Sequence, residues 1–188
     1  MSQRFDFIET PLTGLIKIER KPIQDNRGFF SRFFCANEFE TIGFTQPIAQ
    51  MNHTFTRKKG AVRGMHFQNP PYSETKIVTC IKGKVFDVAV DIRKNSLTFL
   101  QWYAQILSAD NQTSLYIPDG FAHGFQSLTE NCELFYIHSS FYQPDAENAL
   151  NVLDTELCID WPLEITELSG RDSNYSMIGK DFVGIDVQ

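Results

Sequence analysis

The chain reads as a mainly β protein, an antiparallel sandwich or barrel with a few short helices. Short apolar segments recur along its 188 residues, each bounded by Gly, Pro, Asn or Asp, which is the punctuation of many short strands. Lys84 to Ile92 alternates with period two. Phe86, Val88, Val90 and Ile92 share one face, and Val85, Asp87, Ala89 and Asp91 share the other. Aromatic residues make up 13% of the chain, with 17 Phe, and Phe alongside Val, Ile and Thr favours a β core. No repeat, low-complexity stretch or linker interrupts residues 1–188, so a single domain is expected.

Taken in order, Gly14 to Arg20 alternates Leu15, Lys17 and Glu19 against Ile16, Ile18 and Arg20, a strand. Asp25-Asn26-Arg27-Gly28 is a turn, and the aromatic run Phe29 to Phe34 follows it. Ala36 to Ile42, closed by Gly43, is the best short helix. Ala49 to Thr56 is a strand that leads into the basic turn Arg57-Lys58-Lys59-Gly60. Lys76 to Ile81 and Lys84 to Ile92 are strands, and Lys82-Gly83 between them is a two-residue hairpin signal. Further strands are expected at Gln101 to Leu107, Ser114 to Ile117, Gly124 to Leu128 and Glu133 to Phe141. A short helix is expected after Asp154. The last stretch is polar and turn-rich, and is expected to wrap the surface.

The formal net charge of −6 argues against non-specific nucleic-acid binding, which rests on a basic surface. It leaves room for one anionic small ligand held by a few Arg and Lys. Cys35, Cys80, Cys132 and Cys158 form no CxxC pair and read as reduced thiols. Met1 to Asp6 has no apolar leader region. No apolar run approaches the roughly 20 residues a membrane helix needs. A cytoplasmic protein without membrane partners is expected.

Two histidines stand in distinctive settings: His66 in Arg63-Gly64-Met65-His66-Phe67-Gln68, and His123 in Pro118-Asp119-Gly120-Phe121-Ala122-His123-Gly124. Imidazole serves as proton carrier or metal ligand. The second segment resembles the second metal motif of cupins. The first cupin motif would supply His-x-His and then Glu. Here His66-Phe67-Gln68 lacks the second His although Glu74 is present, so no metal is expected.

A His, a Lys, a Tyr and carboxylates could together remove a carbon-bound proton, and His66, Lys76, Tyr136 and Asp172 are the candidates. Each also has a plainer reading. Tyr136 fits a core position with its hydroxyl tied down, Lys76 a hairpin surface, His123 a hydrogen-bonded core histidine, and Asp87 a solvated strand position. His53 and His138 have no motif around them and read as structural. Arg27 and Arg63, each before a Gly, could bring a guanidinium and backbone N–H groups to one anion.

Together these segments resemble the dTDP-4-dehydrorhamnose 3,5-epimerase family. The matching text includes Asp25-x-Arg27-Gly28-Phe29-Phe30, Gln50-x-Asn52, Arg63-Gly64-Met65-His66-Phe67-Gln68 and Lys84 to Arg93. It continues through Ile117 to Phe125, Glu133-x-x-Tyr136, Tyr142-x-Pro144-x-x-Glu147 and Trp161-Pro162, and covers nearly the whole chain.

The resemblance implies a cupin-type double-stranded β-helix, a jelly-roll barrel, with no cofactor. It implies epimerisation at C3 and C5 of a nucleotide-linked 4-keto-6-deoxyhexose, most simply dTDP-4-dehydro-6-deoxyglucose. By it, His66 is the base, Asp172 its partner carboxylate, Lys76 the group facing the enolate oxygen and Tyr136 the acid. Arg27, Gln50, Asn52, Arg63, His123 and Glu147 fall on substrate-binding positions. Tyr142 falls on the aromatic that stacks on the base of the nucleotide, and Asp87 would orient His123 in the pocket.

The resemblance further implies a homodimer in which a segment of one chain completes the other's nucleotide site. Arg32 departs from a Glu usual near the nucleotide, and Leu97 and Leu100 from a Pro and a Gly in a turn. Epimerisation at one centre and a non-catalytic nucleotide-sugar-binding module are the alternatives.

Overall fold

The computed structural model describes residues 3–187. The reading of the N-terminus begins on Met1 and Ser2, which lie outside the described residues. In chain order the elements are β1 (Phe5–Glu9), β2 (Ile16–Arg20), β3 (Ile23–Asp25), β4 (Gly28–Phe30), α1 (Ala36–Phe39) with a 3-10 turn at Glu40–Ile42, and β5 (Gln50–Thr56). They continue with β6 (Val62–Gln68), β7 (Lys76–Lys82), β8 (Lys84–Asp91), β9 (Trp102–Ser108), β10 (Thr113–Ile117), β11 (Phe121–Ser127), β12 (Cys132–His138), β13 (Glu147–Ala149) and α2 (Gly170–Ser173).

Two antiparallel sheets carry the molecule, in the orders β1-β2-β10-β7-β12-β5 and β13-β6-β11-β8-β9. This is the jelly-roll architecture expected, though the described strands do not close into one hydrogen-bonded ring. Three apolar clusters follow from the alternation of side chains. Between the sheets lie Leu15, Val78, Val85, Ala89, Leu115 and Phe125. The outer face of the second sheet offers Val88, Val90 and Ile92, and the C-terminal stretch covers it with Ile165, Leu168, Ile178, Phe182 and Ile185. The outer face of the first sheet packs Phe5, Ile18 and Ile77 against Phe39 of α1. Phe39 is fully buried, and that burial stabilises by roughly 1.5–3 kcal/mol. Gly43 ends this helical segment at φ +91°, where a Cβ would be strained.

Five expectations are corrected. Lys82-Gly83 is a corner rather than a hairpin. β7 pairs with β10 and β12, whereas β8 pairs with β9 and β11 in the opposite sheet. A Cβ on Gly83, at φ +77°, would stand 2.6 Å from Thr129 Oγ1 and 2.9 Å from Cys132 Sγ. The corner is therefore packed beneath the loop that leads into β12.

The segment after Asp154 forms turns instead of a helix. β12 ends at His138, short of Phe141, and β11 starts at Phe121, earlier than expected. Asp87 is 0% exposed because its face of β8 points between the sheets, so the solvated reading fails. Strands β1, β3, β4, β6 and β13 and helix α2 were not anticipated.

β6 contains an irregularity that matters for the site. Its register with β11 runs His123 to His66 and then shifts, pairing Phe125 with Arg63. Strict alternation would send Arg63 and His66 to opposite faces, and the bulge lets both reach the interior. Gly64 makes the bulge possible. Its φ is +143°, and an added Cβ would meet the Gly124 Cα at 2.5 Å. Gly64→Ala is expected to cost about 2 kcal/mol or more and to lower kcat as His66 shifts. Chemical denaturation with a parallel activity assay checks both.

Candidate active site

Period-two alternation lines a cavity of about 720 Å³ from both sheets. On the first sheet, Tyr136 pairs across the ladder with Asn52, and His138 pairs with Gln50 on one side and Lys76 on the other. These five residues therefore share the inner face. On the second sheet, His66 and His123 are direct cross-strand partners. β13 sets Glu147 opposite Gln68 at the rim.

The candidates Gln50, Asn52, Arg63, His66, Lys76, His123, Tyr136, Tyr142, Glu147 and Asp172 all line this cavity. Two do not. Asp87 stands behind His123, whose Nε2 is 2.9 Å from Asp87 Oδ1. It is wholly buried, so it can orient His123 but cannot touch a ligand. Arg27 sits on the exposed β3–β4 hairpin, ion-paired to Asp25 at 2.5 Å with its side chain 90% exposed, outside the cavity walls.

At the centre His66 Nε2 lies 2.8 Å from Asp172 Oδ1. Arg171 Nη2 is 3.3 Å from the same nitrogen, and both neighbours cannot be served at once. The shorter contact to a carboxylate dictates that Nε2 carries the proton and donates to Asp172. Nδ1 is then the basic nitrogen. Asp172 is placed by α2, where the Ser169 side chain caps the Asp172 backbone N–H. Burial opposes the Asp172 charge, but hydrogen bonding and attraction to His66, with Ser169 and Arg171, outweigh it and hold the carboxyl below its ordinary value.

Tyr136 faces His66 from the other sheet. Burial pushes its hydroxyl up and the Asp87 charge pushes the same way, so the phenol keeps its proton. Its ring meets His123 edge-on at 6.1 Å and stacks on His138 at 5.9 Å. Lys76 Nζ is 3.4 Å from the His66 carbonyl oxygen, which it can reach as a donor, and 3.0 Å from Glu74 Oε1. At the rim, Tyr142 and Arg171 both donate to Glu147 Oε2 at 2.7 Å. Among the described residues no three His, Cys, Asp or Glu are grouped to hold a metal. Each central histidine is tied to a carboxylate instead.

Glu74, His138 and Arg171 line the cavity and were missed as site residues. His138 lies two residues beyond Tyr136, so alternation alone puts it on the same face. Arg171 adjoins Asp172. Glu74 precedes Lys76 by two.

Glu74 also reports on pH. Burial opposes its charge, but Lys76 and His138 prevail and bring it from 4.5 down to about 2. A carboxyl lowered in the folded state contributes stability that is complete above its unfolded value and lost as pH falls through its folded one. The window is therefore pH 4.5 to about 2. Asp172 acts in the same sense, while Asp87, pushed up by burial against the pull of His123, acts oppositely. The melting temperature is expected to fall across this window, and to fall less steeply in Glu74→Gln. Thermal melts at stepped pH measure it.

A model of the dTDP-4-dehydrorhamnose 3,5-epimerase family matches residues 9–180. The chain is 41% identical over 180 residues to the dTDP-4-dehydrorhamnose 3,5-epimerase of Shigella flexneri, covering 95% of this chain and 97% of that one. The crystal structure of the Legionella pneumophila 3,5-epimerase in complex with dTDP-4-keto-L-rhamnose superposes with a TM-score of 0.91. It is 38% identical, over 98% of this chain and 99% of that one. A 3'-monoepimerase from Streptomyces bikiniensis, in complex with dTDP-quinovose, superposes at 0.82 with 34% identity, over 89% and 85% of the two chains. The chain belongs to the dTDP-4-dehydrorhamnose 3,5-epimerase family.

Proposed function

We propose that this isomerase inverts C5 and C3 of dTDP-4-dehydro-6-deoxyglucose by proton exchange between two opposed walls of the cavity. The carrying observation is the placement of His66, paired to Asp172, on one sheet, and of the protonated Tyr136 on the other. Both carbons are α to the C4 ketone. His66 Nδ1 takes the C–H proton, and the bonding pair moves into the C4 carbonyl to give an enolate. Lys76 stabilises the enolate oxygen as a fixed cation. Tyr136 delivers its proton to the opposite face of the same carbon, which inverts it. The resulting imidazolium and phenolate return to their starting states through solvent. No step calls on a cofactor.

Arg63 and Arg171 take the diphosphate, Tyr142 stacks on the base, and Gln50 and Asn52 support the nucleoside end. His123, held by Asp87, lines the sugar subsite. The enzyme works as a homodimer. Ile23, Phe29 and Phe30 are exposed on the β3–β4 hairpin, an apolar surface that a second copy would cover, and the same docking would carry Arg27 to the partner's cavity. Sedimentation equilibrium giving a dimer mass tests this, and a monomer mass contradicts it. The described residues contain no helix long and apolar enough to cross a membrane. The four free cysteines suit a reducing cytoplasm.

The activity is tested by NMR of the product formed from dTDP-4-dehydro-6-deoxyglucose. Inversion at both C3 and C5 is expected. Inversion at one carbon alone would make the enzyme a monoepimerase, and faster turnover with another nucleotide would reassign the substrate.

A further inference from the structure

Lys76 is held by more than its place at the start of β7. Its side chain is 8% exposed, and that of Glu74, 3.0 Å away, is 10% exposed. The second Glu74 oxygen, Oε2, is 2.8 Å from Nδ1 of His138, whose side chain is also 10% exposed. Nε2 of His138 is 3.3 Å from Asn52 Nδ2. The amide donates there, so the imidazole is neutral at Nε2 and carries its proton on Nδ1, aimed at Glu74.

The result is a continuous chain from Asn52 through His138 and Glu74 to Lys76. Both carboxylate oxygens are engaged, Oε1 by Lys76 and Oε2 by His138. Lys76 and His138 keep it ionised down to about pH 2, so it is not an acid or base in the reaction. The chain touches the acid as well, because the His138 ring stacks on Tyr136 at an interplanar angle of 22°.

We propose that Glu74 and His138 are positioning residues that fix the Lys76 ammonium in the place where the enolate oxygen forms. The inference rests on the assignment of Lys76 to that oxygen. A lysine is a point charge on a four-carbon stem, and stabilising a developing oxyanion requires the cation to be in place beforehand. A lysine buried with no anion beside it would also tend to shed its proton, because burial penalises the charged form. Glu74 supplies the anion, and His138 fixes the angle of Glu74.

The test is steady-state kinetics on Glu74→Gln, His138→Leu, His138→Asn, the Glu74→Gln/His138→Leu double variant and Lys76→Ala, with dTDP affinity measured on each. Glu74→Gln and His138→Leu are expected to lose about 10- to 100-fold in kcat, the usual range for groups that orient a reacting group. KM and dTDP affinity should stay near those of the unaltered enzyme. His138→Asn keeps an N–H donor close to the Nδ1 position and is expected to recover most of the loss. The double variant should be no worse than Glu74→Gln alone, because the two act through one lysine.

Unchanged kcat in Glu74→Gln, losses confined to KM, losses that add in the double variant, or His138→Asn as poor as His138→Leu would each overturn the proposal. If Lys76→Ala itself keeps full rate, the assignment of Lys76 fails. If Lys76→Ala is inactive and Glu74→Gln is not impaired, only the positioning role fails. Should Glu74→Gln not fold, the comparison of His138→Leu with His138→Asn carries the test.

Discussion

His66→Asn is expected to abolish deuterium uptake at both C3 and C5, with kcat down by about 10³-fold or more, at the upper end of what a positioned base contributes. The substitution leaves the strand ladder untouched and keeps a small polar side chain. Binding of dTDP, assigned by the proposal to Arg63, Arg171 and Tyr142 at the rim, should therefore change less than twofold on a scale where tenfold is about 1.4 kcal/mol. The loss at both carbons together is the informative part. One histidine paired to one carboxylate at 2.8 Å serves two α-carbons only if the sugar presents each in turn to the same nitrogen. Uptake persisting at one carbon in His66→Asn would mean a second base. His123 is the nearest candidate, being its cross-strand partner.

Tyr136→Phe is expected to separate exchange from inversion. The base side of the cavity remains intact, so the C–H proton is still removed and the enolate still forms against Lys76. With no phenol on the opposite wall, the proton returns from the face it left. Deuterium should enter the substrate with its configuration kept, while epimerised product falls by about 10²-fold or more. NMR of the recovered sugar distinguishes labelled substrate from product. Loss of exchange and inversion in equal measure would show that Tyr136 is needed for enolate formation and is not simply the second proton donor.

Most of the cavity lining was legible because the candidate residues lie on strands with clear period-two alternation, or in short motifs around His66 and His123. Asp172 was a candidate by residue type, but no periodicity placed it, since it belongs to a one-turn helix capped by Ser169, and only the resemblance paired it with His66. Alternation says which side chains share a face but not which sheet receives the next strand. Lys82-Gly83 was for that reason read as a hairpin when it is the corner between sheets. The same limit hid β6: the Gly64 bulge breaks the alternation, and His66 was seen as a motif without its strand.

His138 was set aside for want of a motif, although its offset of two from Tyr136 already placed it on the inner wall. The resemblance put Asp87 behind His123, and its Oδ1 lies 2.9 Å from His123 Nε2, whereas the plainer solvated reading fails because alternation alone does not say which face of β8 is covered. Arg27 was recognised by its turn, but its side chain is exposed on the β3–β4 hairpin, ion-paired to Asp25, and does not line the cavity.

On the proposed mechanism, two opposed walls of one cavity exchange protons at the carbons flanking a ketone. Incubating the unaltered enzyme with dTDP-4-dehydro-6-deoxyglucose in D2O measures this most directly, with NMR and mass spectrometry of the sugar. The account predicts deuterium at C3 and C5 and at no other carbon. A sugar recovered without deuterium at either position would contradict it.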